Sequence, residues 1–295
     1  MKPVVKSYLW GGTRLIRDYG KTGTETISET WECSVHPDGL SIIDNGIFSG
    51  KTLSEVLRIH PEYCGTKNPG GLPVIVKLID AEKDLSIQVH PDDFYAGIHE
   101  KQKGKSEMWY VLDAVGNAEI IYGFEENVSP DTARRYAYEG NITNLLHREQ
   151  VHKGDIFYIP AGTVHALGKG IVVAEIQENS NVTYRLDDYG RTDDNGRLRE
   201  LHIEKALDVM NFSPVGKSGT VLNFPFHTGF VNTPGNYTFY VNEKTFVILL
   251  FTEGSGKVHC DKNSVEVGKG DCIFIPAESG NVEVSGNNAF LEIYS

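Results

Sequence analysis

The sequence lacks the features that mark membrane-spanning, secreted and disulfide-rich proteins. None of its 295 residues fall in an apolar run long enough for a membrane span, which takes roughly 18 residues or more. The first residues, 1–6, do not resemble the apolar stretch of a secretory signal. The few cysteines form no C-x-x-C pair and lie far apart at Cys33, Cys64, Cys260 and Cys272. We therefore expect a reduced, cytoplasmic protein with buried thiols and no membrane partner.

The sequence is also short of basic residues. Its 28 lysines and arginines are outnumbered by 40 acidic residues, which gives a formal net charge of −12. Nucleic acids and anionic membranes need a basic surface on their partner, so we expect neither as a partner. A small anionic substrate is still allowed, because a few Lys and Arg side chains can form a local positive pocket. Walker loops, G-x-G-x-x-G and the G-x-S-x-G elbow are absent as well.

The chain does contain many short segments rich in β-branched and aromatic residues. The segments that predict strands are 72–79, 108–112, 118–122, 155–159 and 171–176. Gly, Asn and Asp separate them, which indicates a sandwich or barrel rather than alternating βαβ units. Short helices are predicted at 52–59, 130–138 and 202–209. Thr52 and Ser129 provide plausible N-caps for the first two helices.

An internal repeat links the middle of the chain to its C-terminal part. The segment 154–165, G-D-I-F-Y-I-P-A-G-T-V-H, matches 270–281, G-D-C-I-F-I-P-A-E-S-G-N. The Gly-Asp pair, the apolar strand and the Ile-Pro-Ala turn stay in register, and Asn281 aligns with His165. We therefore expect two copies of one β unit, joined by a linker at 211–219, of which the second lacks the chemistry.

Four polar side chains of the first copy could bind a metal together. Gln88 and His90 share one face of an extended segment, although an isolated Q-x-H more often marks a histidine of the core. Glu107 begins an apolar strand, where a carboxylate is costly to bury unless it is paired or bound to a metal. His165 follows a tight turn. This N/O donor set suits Zn²⁺ or another borderline divalent ion, and the lack of thiolates argues against a structural zinc site.

Arg185 allows two interpretations from the sequence alone. By itself it would form a structural or surface ion pair with Asp187 or Asp188. However, it follows His165 by about one hairpin, so its side chain could return to the same barrel mouth. There the planar, permanently charged guanidinium would suit a phosphate or an enediolate.

Several motifs resemble the signatures of type I mannose-6-phosphate isomerases, in their short bacterial form. They are S-I-Q-V-H-P-D-D at 86–93, G-K-S-E-M-W-Y at 104–110, P-A-G-T-V-H-A at 160–166 and W-E-C-S-V-H-P at 31–37. The resemblance covers most of residues 8–190. It implies an all-β fold with a few short helices, built from two cupin (jelly-roll) barrels. A catalytic metal-binding domain is then expected over 1–210, and a degenerate cupin domain over 219–295.

The resemblance also implies an activity and the residues that perform it. The family interconverts D-mannose 6-phosphate and D-fructose 6-phosphate by proton transfer through a cis-enediol, with one Zn²⁺ per chain. The residues that it assigns to the zinc are Gln88, His90, Glu107 and His165. The residues that it assigns to the substrate pocket are Ser86, Lys77, Lys105 and Glu175. Arg185 is the implied catalytic residue, and the general base is left open between a carboxylate such as Glu175, a zinc-bound water and a histidine.

Three alternatives compete with this function. Another cupin sugar or sugar-phosphate isomerase would use the same side chains. A cupin oxygenase would hold Fe²⁺, usually with three His and one Glu, and Gln88 in place of a His weakens that alternative because an amide oxygen is a harder donor. A non-catalytic binding cupin would lack metal ligands in both copies, whereas here only the second copy lacks them.

Overall fold

The computed structural model describes residues 1–192, 196–215, 224–261 and 263–295, and most of the regular elements in them are strands. The strands are β1 Val4–Lys6, β2 Glu29–Cys33, β3 Val74–Ala81, β4 Ile87–Val89, β5 Glu107–Ala114, β6 Glu119–Phe124, β7 Leu146–Gln150, β8 Ile156–Ile159, β9 His165–Leu167, β10 Ile171–Glu178, β11 Tyr184–Asp187, β12 His227–Thr233, β13 Tyr237–Val241, β14 Val247–Cys260, β15 Asn263–Gly268, β16 Cys272–Ile275 and β17 Gly280–Tyr294. The α-helices are α1 Arg14–Tyr19, α2 Leu53–Ile59, α3 Asp93–His99, α4 Pro130–Tyr138 and α5 Ile203–Val209.

The predicted helices begin where their capping residues indicated. The Thr52 hydroxyl accepts a hydrogen bond from the backbone N–H of Glu55, whose carboxylate accepts one from the Thr52 N–H, so α2 has a complete capping box. The Ser129 hydroxyl accepts from the backbone N–H of Thr132 at the start of α4. These bonds satisfy N–H groups that a helix leaves without partners in its first turn. The local sequence therefore fixes both helix starts.

The chain folds into two compact units that do not follow its linear order. The terminal unit contains Met1–Lys6, Thr13–Leu78 and Asn223–Ser295. The central unit contains Ser7–Gly12 and Ile79–Leu222. The division therefore falls inside β3.

The predicted domains, in contrast, follow the order of the chain. A boundary between 1–210 and 219–295 would assign residues 13–78 to the catalytic domain, whereas in the structure they cluster with the C-terminal strands. The compact units are defined by which residues pack together, whereas the predicted domains are defined by the repeat and the resemblance in the sequence. The domain limits 1–210 and 219–295 therefore stay a prediction. Of the predicted linker 211–219, residues 216–219 lie outside the part that the structure describes.

The strands of the central unit form two antiparallel sheets that enclose a core. One sheet contains β8, β5 and β10 as neighbours, and the other has the order β11-β4-β9-β6-β7. The buried side chains that both sheets contribute to this core include Trp109, Val111, Ile120, Ile159, Leu167 and Val173. The sheets are separate layers, so the predicted barrel takes the form of a sandwich.

Two helices cover the outer face of the second sheet. Ile87 and Val89 of β4 pack in one apolar cluster with Ala133 of α4 and Leu207 of α5. Because side chains alternate along a strand, Gln88 lies on the opposite face, toward the first sheet. The helices thus protect one side of β4 and leave its polar residue on the inner side.

The terminal unit has its own sheet and its own core. β17 pairs with β12, β13 and β14, and β14 pairs in turn with β15 and β16. β1 pairs with β2 in the same unit. The buried core consists of apolar side chains that include Val241, Leu249, Phe251, Val258, Val282 and Phe290.

The two repeat segments have the same strand pairing, which confirms the internal repeat. Ile159 of β8 lies opposite Glu107 of β5. In the second copy, the matching Ile275 of β16 lies opposite Val247 of β14. Val247 therefore occupies the position that Glu107 has in the first copy, so the second copy has no carboxylate there.

The copies diverge by one residue after the shared turn. Gly162 has a φ of 87°, and the aligned Glu278 adopts a similar φ of 65°. His165 is buried, whereas the aligned Asn281 is exposed and its neighbour Val282 points into the core. A shift of one residue turns a side chain to the other face of a strand. The expectation that Asn281 takes the place of His165 is therefore wrong, because Val282 faces inward there.

Candidate metal centre and active site

The four predicted metal ligands come together in the central unit. Gln88 of β4 lies directly opposite His165 of β9, so both side chains point to the same face. His90 follows two residues after Gln88, at the end of β4. Glu107 is the first residue of β5 in the facing sheet. Strand pairing thus directs Gln88, Glu107 and His165, and His90 follows directly after β4.

The ligand atoms lie within reach of a single ion. Glu107 Oε2 is 3.4 Å from His90 Nε2, and Glu107 Oε1 is 3.3 Å from His165 Nε2. Gln88 Nε2 is 3.4 Å from His165 Nε2. One ligand atom from each of His90, Glu107 and His165 lies within 4.8 Å of the others, and all three residues are buried.

Backbone carbonyls orient both imidazole rings. His90 Nδ1 is 2.9 Å from the carbonyl oxygen of Val182, and His165 Nδ1 is 2.8 Å from that of Thr163. A carbonyl oxygen can only accept, so each Nδ1 carries a hydrogen, and Nε2 of the neutral ring presents a lone pair. Metal-binding histidines are commonly held in this way.

Burial and neighbouring charges favour the protonation states that a metal requires. Burial, together with the positive charge of Lys105, lowers the pKa of His90 to about 3. Burial also lowers the pKa of His165. For Glu107, burial acts to raise the pKa, but Lys105 and the two histidines hold it well below its usual range. Two neutral imidazoles and a carboxylate result.

This donor set fits a divalent cation. Neither Glu107 oxygen has a hydrogen-bond partner among the described residues, although both are buried. Oε2 lies 2.8 Å from the Lys105 ammonium, so Oε1 is the oxygen whose burial a bound cation would still compensate. Two imidazole nitrogens, one carboxylate and the amide oxygen that Gln88 can present suit Zn²⁺ among the common protein metals.

A lysine and a second carboxylate adjoin these ligands. Lys105 Nζ forms an ion pair with Glu107 Oε2 at 2.8 Å, although the angles there do not fit a hydrogen bond. Lys105 Nζ is also 3.2 Å from His90 Nε2. It is also 4.0 Å from Glu175 Oε1. The indole N–H of Trp109 donates to Glu175 Oε2 at 3.0 Å. The structure thus places the predicted pocket residues Lys105 and Glu175 beside the candidate ligands.

Arg185 shares a face with the candidate ligands. Its Cα lies opposite that of Gln88, which in turn lies opposite His165, so the three residues form a row across β11, β4 and β9. Arg185 Nη1 donates to the carbonyl of Glu200 at 2.8 Å. The Nε–H of the guanidinium is a buried donor without an acceptor among the described residues.

Among the described residues, Arg185 forms no ion pair with Asp187 or Asp188. Asp188 pairs with Arg191 and Arg199. Asp187 accepts a hydrogen bond from the backbone N–H of Tyr189. Burial and the nearby Arg199 lower the pKa of Arg185, but a guanidinium stays charged in proteins.

The two remaining pocket predictions, Ser86 and Lys77, lie in different units. Ser86 is buried in the central unit, two residues before Gln88. Lys77 is buried in the terminal unit, on β3, with its ammonium 4.8 Å from the ring centroid of Trp31. The assignment of Lys77 to the pocket stays a prediction.

Two further polar side chains belong to this region, and neither was predicted from the sequence. Tyr122 of β6 lies opposite His165 and donates to the carbonyl of Tyr158 at 2.6 Å. Gln177 of β10 lies opposite Glu107. The alternation of strand residues could have identified Gln177, because it follows Glu175 by two positions.

Comparisons with known proteins agree with this geometry. Residues 1–116 match the model of the phosphomannose isomerase type I catalytic domain, and residues 224–295 match that of the mannose-6-phosphate isomerase cupin domain. Mannose-6-phosphate isomerase ManA of Bacillus subtilis is 37% identical, over 97% of this chain and 95% of its own. This chain belongs to the type I phosphomannose isomerases. The mannose-6-phosphate isomerase of Streptococcus mutans is also 37% identical, over 91% of this chain and 89% of its own.

Solved structures of a mannose 6-phosphate isomerase and of a phosphomannose isomerase confirm the predicted fold. The crystal structure of the Bacillus subtilis mannose 6-phosphate isomerase superimposes with a TM-score of 0.92 and 35% identity, covering 99% of this chain and 98% of that one. A phosphomannose isomerase variant from Salmonella typhimurium, at 18% identity, shares the fold with a TM-score of 0.82. The prediction of an all-β cupin fold is therefore confirmed. The prediction of an aldose–ketose isomerase, rather than an oxygenase, is confirmed by the family of the relatives. No described helix is long and apolar enough to cross a membrane.

Proposed function

We propose that this chain interconverts D-mannose 6-phosphate and D-fructose 6-phosphate in the cytoplasm, using one Zn²⁺ per chain. The proposed ligands are Gln88, His90, Glu107 and His165. The observation that carries the proposal is the buried cluster of His90, Glu107 and His165 in a chain of this family. The substrate is inferred from the names of the relatives, and the metal is inferred from the donor atoms of the cluster.

The proposed reaction moves a proton between C1 and C2 of the open-chain sugar through a cis-enediol. A bound zinc ion would polarise the sugar oxygens as a Lewis acid. Lys105 lies between the metal ligands and Glu175, so its ammonium can donate hydrogen bonds to the same oxygens. Arg185 would stabilise the negative charge that develops on the enediolate.

Glu175 is our candidate for the base that carries the proton. Its carboxylate is buried, and the Trp109 indole holds one oxygen while the other lies near Lys105. A fixed carboxylate with one oxygen directed toward the site can accept a proton from carbon and return it to the neighbouring carbon.

A coupled assay tests the activity and the metal together. We expect purified protein to convert mannose 6-phosphate into fructose 6-phosphate, to lose this activity in a chelator and to regain it with Zn²⁺. Elemental analysis should find one zinc per chain. Full activity in chelator by metal-free protein would contradict the metal site. Turnover of a different aldose phosphate, without turnover of mannose 6-phosphate, would contradict the substrate.

A matched pair of variants separates the metal site from general effects of mutation. Loss of a residue that only hydrogen-bonds to a metal ligand lowers metal affinity roughly 10- to 100-fold. Because His165 is a proposed ligand itself, His165→Ala should lower zinc affinity by more than that. Asn281→Ala, at the exposed aligned position in the terminal unit, should retain the parent's zinc and activity. Equal zinc content in both variants would contradict the assignment of His165.

A further inference from the structure

Gln177 is a polar core residue that the proposed reaction does not yet use. Its side chain is 0% exposed. It lies on β10 directly opposite Glu107 of β5, while Glu175 lies opposite Trp109 on the same two strands. Opposed residues of an antiparallel pair point to the same face, with Cβ atoms about 4.5–5.5 Å apart. Gln177 therefore shares the inner face of the sheet with Glu107 and Glu175.

The amide of Gln177 is anchored through its nitrogen only. Nε2 donates to the carbonyl of Glu178 at 3.1 Å and to the carbonyl of Ser180. These bonds use both amide hydrogens and determine which way the group faces. The other end, Oε1, is buried and has no hydrogen-bond donor among the described residues.

An unsatisfied buried amide oxygen costs about 1–3 kcal/mol, and native proteins rarely keep one without a ligand or water to supply the donor. Around this site, Lys105, Arg185 and Trp109 carry side chains that can donate hydrogen bonds but not accept them. A sugar hydroxyl both donates and accepts. The site therefore needs acceptors for the hydroxyl hydrogens. The Glu175 carboxylate is one, although its Oε2 already accepts from the Trp109 N–H, and Gln177 Oε1 is another.

We propose that Gln177 is a substrate-binding residue whose Oε1 accepts a hydrogen bond from a hydroxyl group of the open-chain sugar phosphate. This inference rests on the proposed function. It adds an acceptor by which the site would discriminate a sugar phosphate that carries a hydroxyl at one carbon from an analogue that carries a hydrogen there. A site built to bind a hydroxyl rejects the analogue without it, because its own polar group is then left unpaired.

A purely structural role for Gln177 would act through the loop that follows β10. The Ser180 hydroxyl donates to the carbonyl of Lys103 at 2.7 Å and accepts from the N–H of Val182 at 3.4 Å. The carbonyl of Val182 in turn accepts from His90. Ser180→Ala disturbs this loop but keeps Gln177 Oε1, so it is the matched control.

The test measures binding of a hexitol 6-phosphate, which lacks the reactive carbonyl, to zinc-loaded protein by calorimetry. Gln177→Met keeps the size of the side chain but removes Oε1 together with the Nε2 donors to Glu178 and Ser180, and it should weaken binding roughly 10-fold. Zinc content should stay at the parent level in this variant. Ser180→Ala should bind the hexitol phosphate like the parent.

Deoxy analogues identify the hydroxyl and exclude an indirect effect. In the parent, the analogue that lacks the contacting hydroxyl should also bind roughly 10-fold more weakly. In Gln177→Met, that analogue and the full hexitol phosphate should bind equally, because the two losses are the same interaction. If Gln177→Met does not fold, Gln177→Asn retracts the oxygen by one methylene group and serves in the same comparison.

The outcomes separate this inference from the function on which it rests. Equal weakening in Gln177→Met and Ser180→Ala, or parallel zinc loss in both, would assign Gln177 to the loop and overturn the inference. The inference would also be overturned if, for every deoxy analogue, the loss of affinity from removing the hydroxyl were as large in Gln177→Met as in the parent. A parent protein that does not isomerise mannose 6-phosphate would contradict the proposed function itself.

Discussion

Among single residues, Arg185 provides the clearest test of how the site acts. Its guanidinium would meet negative charge that appears only as the enediolate forms, so it should lower the barrier without tightening ground-state binding. Arg185→Ala should therefore reduce kcat by roughly 10²-fold, the scale seen when one oxyanion donor is removed. KM should change much less. Steady-state kinetics and zinc analysis of the purified variant measure both effects.

Arg185→Lys is the informative companion variant. It keeps the positive charge but loses the planar pair of donors, so it should recover only part of kcat. Zinc content and Tm should stay near the parent in both variants. A variant Arg185→Ala that keeps its kcat and only melts earlier would return Arg185 to a structural role.

Whether a residue could be predicted depended on how much of its environment is local in sequence. Gln88 and His90 lie within one short motif, and Glu107 and His165 also belong to recognisable motifs. Alternation places Gln177 on the same strand face as Glu175, but its position opposite the candidate ligand Glu107 depends on the pairing of two strands. Single-residue register is not encoded in a motif, because a shift of one position exchanges the two faces of a strand.

At the scale of secondary-structure elements, α4 allows a direct test of its cap. The Ser129 hydroxyl accepts from the N–H of Thr132 at 3.2 Å. Ser129→Ala leaves that N–H without its partner and should lower the free energy of unfolding by about 1 kcal/mol. Ser129→Thr keeps the hydroxyl and should stay close to the parent. Urea denaturation of both variants measures the difference, and equal losses would show that the cap does not matter.

The edge strand β7 carries a histidine that links protonation to stability. His147 Nδ1 is 2.6 Å from Glu125 Oε2, and its Nε2 is 2.9 Å from Glu149 Oε2. Hydrogen bonds to Glu149 and Glu125 raise the pKa of His147 in the folded protein. Its stabilising effect is thus fully present below the unfolded pKa of about 6.5. The effect is lost as pH rises through the higher folded value.

The expected consequence is a pH-dependent effect of substitution. His147→Gln should lower the urea midpoint at pH 6 but not at pH 9, and the loss should be small because exposed ion pairs contribute less than about 1 kcal/mol. A loss in His147→Gln that is larger at pH 9 would contradict the assignment.

Elements were easier to predict than their arrangement. Caps such as Thr52 and Ser129, and alternating apolar residues, act over a few positions and fix helices and strands locally. The order β11-β4-β9-β6-β7 depends on pairing between distant segments. The repeat was the exception, since two copies with the same turn imply the same local pairing.

At the scale of the whole molecule, the terminal unit is assembled from both ends of the chain. Lys21 donates to the carbonyl of Gly270 at 2.7 Å, and the N-terminal ammonium donates to that of Cys272 at 2.9 Å. A chain that ends at Val215 keeps residues 13–78 but loses the strands β12–β17 with which they form one compact unit. We expect such a truncated chain to be insoluble.

Solubility on expression and circular dichroism of the truncated chain check this expectation. Co-expression of residues 224–295 as a separate chain should restore soluble protein, because it supplies the missing sheet and core. A stable, active fragment that ends at Val215 would instead show that the terminal unit is dispensable. The predicted domains follow the linear order of the chain, because composition cannot show which distant segments pack together.

The position of Trp109 gives the candidate centre its own optical reporter. Its ring lies 5.5 Å, between centroids, from that of His165, and its N–H is held by Glu175. Indole fluorescence responds to charges placed nearby. Loading of a divalent cation, or approach of a phosphorylated sugar, should therefore change the emission of the unlabelled protein. Stopped-flow mixing could then time metal uptake and substrate arrival as separate events in one cuvette.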